Sequence, residues 1–419
     1  MKKKLINLGK YIITFFITLG ILFSVLVLTA KIPKSYIKEN IIESKSSFED
    51  TTREVRYIGK YRDYTYIHPY ADAIILNIIY NIDYENPIKS TMEAKYYQKD
   101  SQYSTGIRDF FATVDNDEKA NKEYLRYWHG SMSILRPLLT IFNLEQIYTI
   151  NKVFVTILII VLIGILLKKG YKLLGVALII GLIMVATWIV PYCLEYTWCF
   201  EIMLIVSIIS VIIEKKHNNI VNYLFMITGM ITCYLDFLTT ELITILVPMI
   251  LILGMRFKEN KLGNTGANLK LICKWSIFWC VGYFGMWISK WLIASIVLNI
   301  NALDYVTEKA MIRITDYDGG IKELITKNIN SLFIINTMMV RDKIWISILI
   351  IIVAVILLDK KDKNKMAFFI TMLIIAIIPY IRYIILENHT YRHYFFVFRT
   401  QIASIMALII GIGYARKKQ

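Results

Sequence analysis

Residues 153–167 read VFVTILIIVLIGILL and contain no charged side chain. Residues 21–28, ILFSVLVL, and residues 345–358, WISILIIIVAVILL, have the same character. Such runs are typical of helices that cross a lipid bilayer, because a helix satisfies its own backbone hydrogen bonds where no water is present. The sequence therefore predicts an all-α, polytopic membrane protein.

The composition of the whole chain supports this class. Of its 419 residues, 56% are hydrophobic, whereas a soluble domain is about 45–50% apolar. The net charge of +16 would suit a nucleic-acid-binding protein, but the basic residues flank the apolar runs. The five cysteines lie in or beside apolar segments without the spacing of metal ligands. A soluble nucleic-acid-binding protein, a cytosolic enzyme and a disulfide-stabilised secreted domain are excluded, and no metal centre is expected.

Hydropathy predicts about ten membrane-spanning helices. The chain divides into a cytoplasmic start with the first span (1–30), a large outer loop with interfacial helices (31–146) and a multispan bundle (147–419) that includes a second outer loop (299–343). The first apolar stretch is longer than that of a signal peptide, so we expect it to be retained. The predicted spans are residues 11–30, 147–167, 171–191, 197–213, 220–235, 241–256, 272–298, 344–358, 366–386 and 396–415.

Basic residues predict the orientation of the chain. They cluster at both termini and in alternate connections, at 168–172, 215–216, 256–270 and 360–365. Lysine and arginine are enriched in cytoplasmic loops of membrane proteins. We therefore expect a multi-pass protein of the plasma membrane with both termini in the cytoplasm and with its working surface outside.

Ionisable side chains at the membrane boundary are costly and mark candidate sites. The densest group lies in ENHTYRHYFFVFR, residues 387–399, which includes His389, Arg392, His393 and Arg399. Arginine offers paired donors to phosphate oxygens, and histidine titrates near neutral pH. We expect these four residues to bind an anionic group such as a phosphate. The alternative is that they pair with one another or with lipid headgroups.

Two further pairs of residues are candidates for substrate binding. Asp236 and Glu241 frame the predicted outer turn CYLDFLTTEL, where they would either cap two helix ends or bind sugar hydroxyls. His129 and Arg136 lie in YLRYWHGSMSILRP, which predicts a helix along the membrane interface before the second span. They would either bind a lipid phosphate or serve as interfacial anchors.

Asp72 is the candidate catalytic residue. It precedes the apolar stretch AIILNIIY in the first turn of a predicted helix. A carboxylate there is stabilised by the helix dipole without any catalytic role. The same position would hold an acid rigidly at the membrane surface, where it could take a proton from an attacking hydroxyl as a general base.

The layout resembles the GT-C superfamily of membrane glycosyltransferases, which use polyprenyl-phosphate-linked sugars. The stretch YWHGSMSILRPLLTIFNLEQIYTIN, residues 127–151, looks like the second interfacial helix of that family running into the second span. The segment IIPYIRYIILENHTYRHYFFVFR, residues 377–399, looks like the last outer loop of related bacterial proteins. The catalytic acid of the family lies in the first outer loop, so the resemblance implies Asp72, although Asp72 has no acidic neighbour.

These observations favour an enzyme, a glycosyltransferase that moves a sugar from a polyprenyl-phosphate donor to a cell-envelope glycan or lipid. Its partners would be that donor, membrane lipid and the envelope acceptor, with no nucleic acid. No cofactor is firmly implied, and the need for a divalent cation is open. Two alternatives are a transporter or flippase for lipid-linked sugars and a non-catalytic scaffold of an envelope-polysaccharide assembly complex.

Overall fold

The computed structural model describes residues 2–49, 69–100, 105–214, 218–314, 319–332 and 343–417. Within these ranges the chain is helical, with two isolated β-bridges and no strand. The predicted all-α class is thus confirmed for the described residues. Lys215, Lys216 and part of the predicted loop 299–343 lie outside them.

The described residues form twenty α-helices. They are α1 (Lys2–Ala30), α2 (Lys34–Glu43), α3 (Ser46–Glu49), α4 (Tyr70–Tyr80), α5 (Pro87–Glu93), α6 (Gly106–Asn116), α7 (Met132–Leu138), α8 (Leu144–Lys168), α9 (Lys172–Met184), α10 (Thr197–Ile213), α11 (Asn218–Leu235), α12 (Ile243–Lys258), α13 (Thr265–Leu298), α14 (Ala302–Ile314), α15 (Gly320–Asn330), α16 (Ile344–Leu357), α17 (Lys363–Ile385), α18 (Glu387–Arg392), α19 (Tyr394–Val397) and α20 (Ile402–Ala415). Two 3₁₀ helices, Thr187–Tyr192 and Phe398–Gln401, connect neighbouring helices.

Several of these helices have the length and composition of membrane spans. In the described part of the chain, five stretches are long and apolar enough: Leu8–Ala30, Leu144–Lys168, Thr265–Leu298, Lys363–Ile385 and Tyr394–Ala415. Shorter apolar helices coincide with other predicted spans, at Lys172–Met184, Thr197–Ile213, Ile220–Leu235 and Ile344–Val353. The apolar helices indicate a membrane protein, while the count of ten spans and the cytoplasmic position of both termini stay predictions.

Polar side chains set the starts of the long helices. Asn143 accepts a hydrogen bond from the Gln146 backbone N–H at 3.1 Å, and the Gln146 side chain accepts one from the Asn143 N–H, which together form a capping box before α8. Asn264 caps α13 by accepting from the Ala267 N–H at 3.0 Å. Such caps satisfy amide groups that have no partner inside the helix.

Small residues let α11 and α13 pack backbone against backbone. A Cβ atom added at Gly282 would lie 2.0 Å from the Met226 carbonyl oxygen, and one at Gly229 would lie 2.1 Å from the Trp279 carbonyl oxygen. Close approach at small residues is a common mode of helix association in membranes. This contact fixes the position of α13, which lines the site described below.

Two buried cations hold the segment 31–146 in place. Lys290 on α13 donates to the carbonyl oxygen of Met92 at 2.8 Å, just where α5 ends. Arg136 on α7 donates to the carbonyl oxygens of Ile32 and Ile79 and is fully buried. Lys290 therefore fastens α5 to the bundle, whereas Arg136 joins α7 to α4 and to the residues just before α2.

Candidate active site

A cavity of about 480 Å³ lies where the segment 31–146 meets the turn 193–196, α14 and residues 387–395. It contains four of the residues predicted to bind substrate, namely His129, His389, Arg392 and His393. Its wall combines aromatic rings with charged groups. The lining includes Tyr70, Tyr96, Glu123, Tyr124, Arg126, Tyr127, His129, Glu195, Phe237, Tyr305, Arg313, His389, Arg392, His393 and Phe395.

His129 is held rigidly in the cavity wall. Its Nε2–H donates to the Tyr124 carbonyl oxygen at 3.0 Å, since a carbonyl only accepts. Its backbone has a φ of 54°, which turns the chain sharply before α7. Burial and the nearby charge of Lys290 lower the pKa of His129 to about 3, so the ring is neutral at physiological pH.

The histidines of the 387–395 segment are also neutral. His389 donates from Nε2 to the Leu238 carbonyl oxygen at 2.8 Å, and its Nδ1 lies 3.5 Å from Nη1 of Arg313. Burial and the surrounding arginines lower the pKa of His389 well below its usual value and that of His393 to about 4. His389 therefore faces Arg313, and neither histidine carries a positive charge at physiological pH.

Two arginines absent from the sequence prediction line the cavity. The Arg126 guanidinium lies 4.5 Å from the centre of the Tyr124 ring, and its Nη2 donates to the Tyr124 hydroxyl at 3.0 Å. The Arg313 guanidinium lies 5.7 Å from the centre of the Tyr127 ring. Among the described residues, neither arginine forms a salt bridge with a carboxylate. Both are thus placed to receive an anionic ligand.

Glu195 brings a carboxyl group to the same cavity. Burial raises its pKa to about 8, and the nearby charges of Asp72 and Asp236 act in the same direction, while Arg313 opposes them. A carboxyl group with a pKa near the working pH is suited to general acid–base catalysis. Nothing in the local sequence distinguishes Glu195 from other acidic residues at the ends of apolar segments.

An apolar groove of about 460 Å³ adjoins the cavity. Three residues, Arg126, Tyr127 and Arg313, line both spaces. The groove runs between α13 and α17, two of the helices long enough to span a membrane. Its other lining residues include Leu238, Leu242, Trp279, Tyr283, Phe284, Trp287, Val306, Ile314, Ile378, Ile381 and Ile385.

The predicted pair Asp236 and Glu241 makes structural contacts. Asp236 accepts from the Thr239 backbone N–H at 3.1 Å, which closes the turn after α11. Glu241 lines the groove and accepts from Arg382, with Nε at 2.9 Å and Nη2 at 3.2 Å. Arg382 also donates to the Leu238 carbonyl oxygen. Neither carboxylate caps a helix end: Asp236 closes a turn, and Glu241 forms an ion pair with Arg382 in the wall between cavity and groove.

Asp72, Arg136 and Arg399 do not line the cavity. Arg136 fastens the first loop, as described above. Asp72 is fully buried behind the turn 193–196, where burial raises its pKa to about 7 against the effect of several hydrogen bonds. Arg399 is also buried, with its guanidinium 5.0 Å from the centre of the Tyr196 ring. The sequence predicted Asp72 as a catalytic residue and Arg136 and Arg399 as substrate-binding residues, but none of the three is part of the cavity wall.

No set of three histidine, cysteine, aspartate or glutamate side chains in the described part of the chain is placed to hold a metal ion.

Comparisons with protein-family models, with curated proteins and with solved structures found no match to this chain. The function is therefore inferred from the chemistry of the cavity and the groove.

Proposed function

We propose that the protein is an integral-membrane glycosyltransferase that transfers a sugar from a polyprenyl-phosphate donor to a cell-envelope glycan or lipid. The observation that carries this proposal is the continuity of a polar, aromatic cavity with an apolar groove at Arg126 and Arg313. A lipid-linked sugar has the same order of chemistry: a polar sugar, an anionic phosphate and an apolar chain.

Each part of such a donor has a matching surface. The isoprenoid chain lies in the groove between α13 and α17, among side chains such as Trp279 and Ile381. The phosphate lies at the junction, where Arg126 and Arg313 supply charged hydrogen-bond donors. The sugar lies in the cavity against tyrosine rings, which present both apolar faces and hydroxyl groups.

The charge of the cavity supports an anionic ligand. Three arginines line it, and of its two carboxyl groups, Glu123 forms a salt bridge with Lys95 at 3.6 Å. Glu195, with a pKa of about 8, is mostly protonated at neutral pH. The three histidines of the cavity are neutral, so they do not change its net charge. The cavity is therefore electropositive before the donor enters.

In the transfer step, the oxygen of the acceptor hydroxyl attacks the anomeric carbon of the donor sugar. Glu195 takes the hydroxyl proton as a general base. The bond between the anomeric carbon and the phosphate oxygen breaks, and polyprenyl phosphate leaves with the electron pair. Arg126 and Arg313 stabilise the negative charge that grows on the leaving group.

A transporter or flippase is less well supported. Lys290, the deeply placed cation, donates to the carbonyl oxygens of Thr91 and Met92, so it fastens a loop. A transporter would use a glycine such as Gly282 to break a helix near the middle of the membrane. Here α13 is uninterrupted, and Gly282 packs against the backbone of α11. A non-catalytic scaffold would not need these residues in the cavity, and the experiment below distinguishes it from an enzyme.

The test uses the full chain purified in lipid nanodiscs, polyprenyl-phosphate-linked sugars of several kinds, and an envelope extract as acceptor. Release of polyprenyl phosphate and labelling of the acceptor are measured. Glu195→Gln should lower the transfer rate about a hundredfold or more, the scale of losing a general base. Glu123→Gln is the matched control, because it removes a second cavity carboxyl group that already pairs with Lys95.

The other outcomes decide against the proposal. Accumulation of intact donor inside sealed vesicles without a covalent product would identify a transporter. Normal surface polysaccharide in cells that carry only Glu195→Gln, together with its loss on deletion of the chain, would identify a scaffold.

A further inference from the structure

Two residues of the predicted site, Asp72 and Arg399, contact the turn 193–196 from different elements. This turn joins the 3₁₀ helix Thr187–Tyr192 to α10 and carries Glu195 into the cavity. Asp72 lies on α4 of the first loop, and Arg399 lies in the 3₁₀ helix Phe398–Gln401 before α20. Segments far apart in the chain thus converge on the four residues that present the carboxyl group.

Asp72 contacts the backbone of the turn. One of its carboxylate oxygens accepts from the Leu194 N–H at 2.9 Å and from the Tyr148 hydroxyl at 2.7 Å. The other faces Sγ of Cys193 at 3.9 Å, and the backbone N–H of Glu195 also stabilises the carboxylate. Hydrogen bonds from amides to a carboxylate are stronger than those between neutral groups. The carboxylate therefore fixes the backbone on both sides of Leu194.

Arg399 contacts the other end of the turn. Its Nη1 donates to the Phe395 carbonyl oxygen at 2.6 Å, and its guanidinium lies over the Tyr196 ring. The Tyr196 ring in turn packs against Phe396, with ring centres 5.7 Å apart. Tyr196 is 1% exposed, so this contact is desolvated, the condition in which a cation–π contact is strongest.

We infer that Asp72 and Arg399 are positioning residues, which hold the turn 193–196 so that the Glu195 carboxyl group faces the acceptor. This inference rests on the proposed function for the role of Glu195. Neither residue touches the cavity, and each acts through the backbone or the ring of a neighbour of Glu195. Placement matters because a misplacement of about 1 Å can lower a rate about a hundredfold.

Asp72 also sets the electrostatic environment of Glu195. Among the described residues, the charged and titratable groups that interact with Glu195 come from four elements: Asp72 and Tyr70 from α4, Asp236 from the turn after α11, Arg313 from α14, and Cys193 and Tyr196 from the turn 193–196 itself. Loss of the Asp72 charge removes the largest of the charge effects that raise the pKa of Glu195. A variant without that charge should therefore ionise Glu195 at lower pH.

The first test compares pH–rate profiles of Asp72→Asn and Glu195→Gln in nanodiscs. In Asp72→Asn, we expect kcat to fall. We also expect the rise of the rate on the acidic side of the profile (the acid limb) to move about one pH unit lower, because a nearby like charge has been removed. In Glu195→Gln, the limb should disappear. If instead Asp72→Asn abolishes the limb while Glu195→Gln retains it, Asp72 is itself the proton acceptor and the inference is overturned.

The second test needs no enzymatic activity. Carboxyl groups of the folded chain are labelled at pH 6 with a water-soluble carbodiimide and an amine, and labelling of Glu195 is measured against Glu123 by mass spectrometry. Asp72→Asn and Arg399→Gln should each change this ratio about fivefold, the effect of shifting a conformational equilibrium by a single strong contact. Tyr148→Phe, which removes one hydrogen bond and keeps the carboxylate, should change it less.

The two tests separate the possible failures. An unchanged labelling ratio in both Asp72→Asn and Arg399→Gln overturns the positioning role, even if the wild-type protein transfers sugar. A changed ratio in a protein that transfers no sugar from any donor supports the positioning role and refutes the proposed function. If Asp72→Asn does not fold, Arg399→Gln carries the same comparison, with Tyr148→Phe again expected to change the ratio less.

Discussion

The proposed role of Glu195 as the general base predicts that the transfer rate depends on pH in a specific way. Its pKa of about 8 lies well above the ordinary value for a glutamate, because burial and the charges of Asp72 and Asp236 disfavour ionisation. Only the ionised form can take a proton from the acceptor. Below pH 8 the side chain is mostly protonated, so the rate should rise with pH and level off above the pKa.

The size of this effect follows from the pKa. About 1% of Glu195 is ionised at pH 6, about 9% at pH 7 and about half at pH 8. The rate of a single turnover should therefore increase about fiftyfold between pH 6 and pH 8. Single-turnover transfer from a labelled lipid-linked sugar, quenched at short times between pH 5.5 and 9, measures it without interference from product release.

Glu123→Gln should keep this profile, since Glu123 pairs with Lys95 at the edge of the cavity. Glu195→Gln should show a low rate that does not vary with pH. A wild-type rate that is constant between pH 6 and 8, or one that falls as the pH rises, would refute the assignment of Glu195 as the base.

Three further predictions concern the phosphate site, the cavity wall and the bundle. Arg126→Gln should lower the transfer rate about a hundredfold to a thousandfold, because it removes a donor to the leaving phosphate. A rate within about threefold of the wild type would contradict this role, since the loss of one charged contact has a larger effect. Glu241→Gln leaves Arg382 buried without its ion-pair partner. The free energy of unfolding, measured with denaturant in detergent, should therefore fall by about 3–5 kcal/mol. An unchanged unfolding midpoint would show that the ion pair is dispensable. Gly282→Leu should prevent folding or sharply lower the thermal unfolding midpoint, because even a Cβ atom there would lie 2.0 Å from the Met226 carbonyl oxygen. A normal yield and a normal unfolding midpoint would contradict this packing.

The membrane class and the general location of the site follow from local patterns. Runs such as 153–167 exclude charge over a length that only a bilayer or a buried core explains. His389, Arg392 and His393 lie within a few residues of one another, and the structure brings them to one cavity with His129. Such features are readable from sequence because they depend on the composition of a single segment.

The division of roles among the charged residues could not be read in this way. Asp72 opens an apolar helix and was predicted as the catalytic base, yet its carboxylate is buried against Leu194 and Tyr148. Glu195, in a turn with no recognisable motif, reaches the cavity instead. Which of two acids faces a ligand depends on how α4 packs against the turn 193–196, and that packing leaves no local signature.

The junction of cavity and groove depends still more on long-range contacts. Arg126 comes from the first loop and Arg313 from α14, and only the packing of both around Tyr127 places them at one boundary. The apolar lengths and the charge clusters of the chain indicate a helical membrane protein with polar groups at helix ends, since burial in lipid acts on each segment separately. The placement of Glu195, Arg126 and Arg313 around one cavity arises from contacts between distant segments, so it is a property of the folded chain alone.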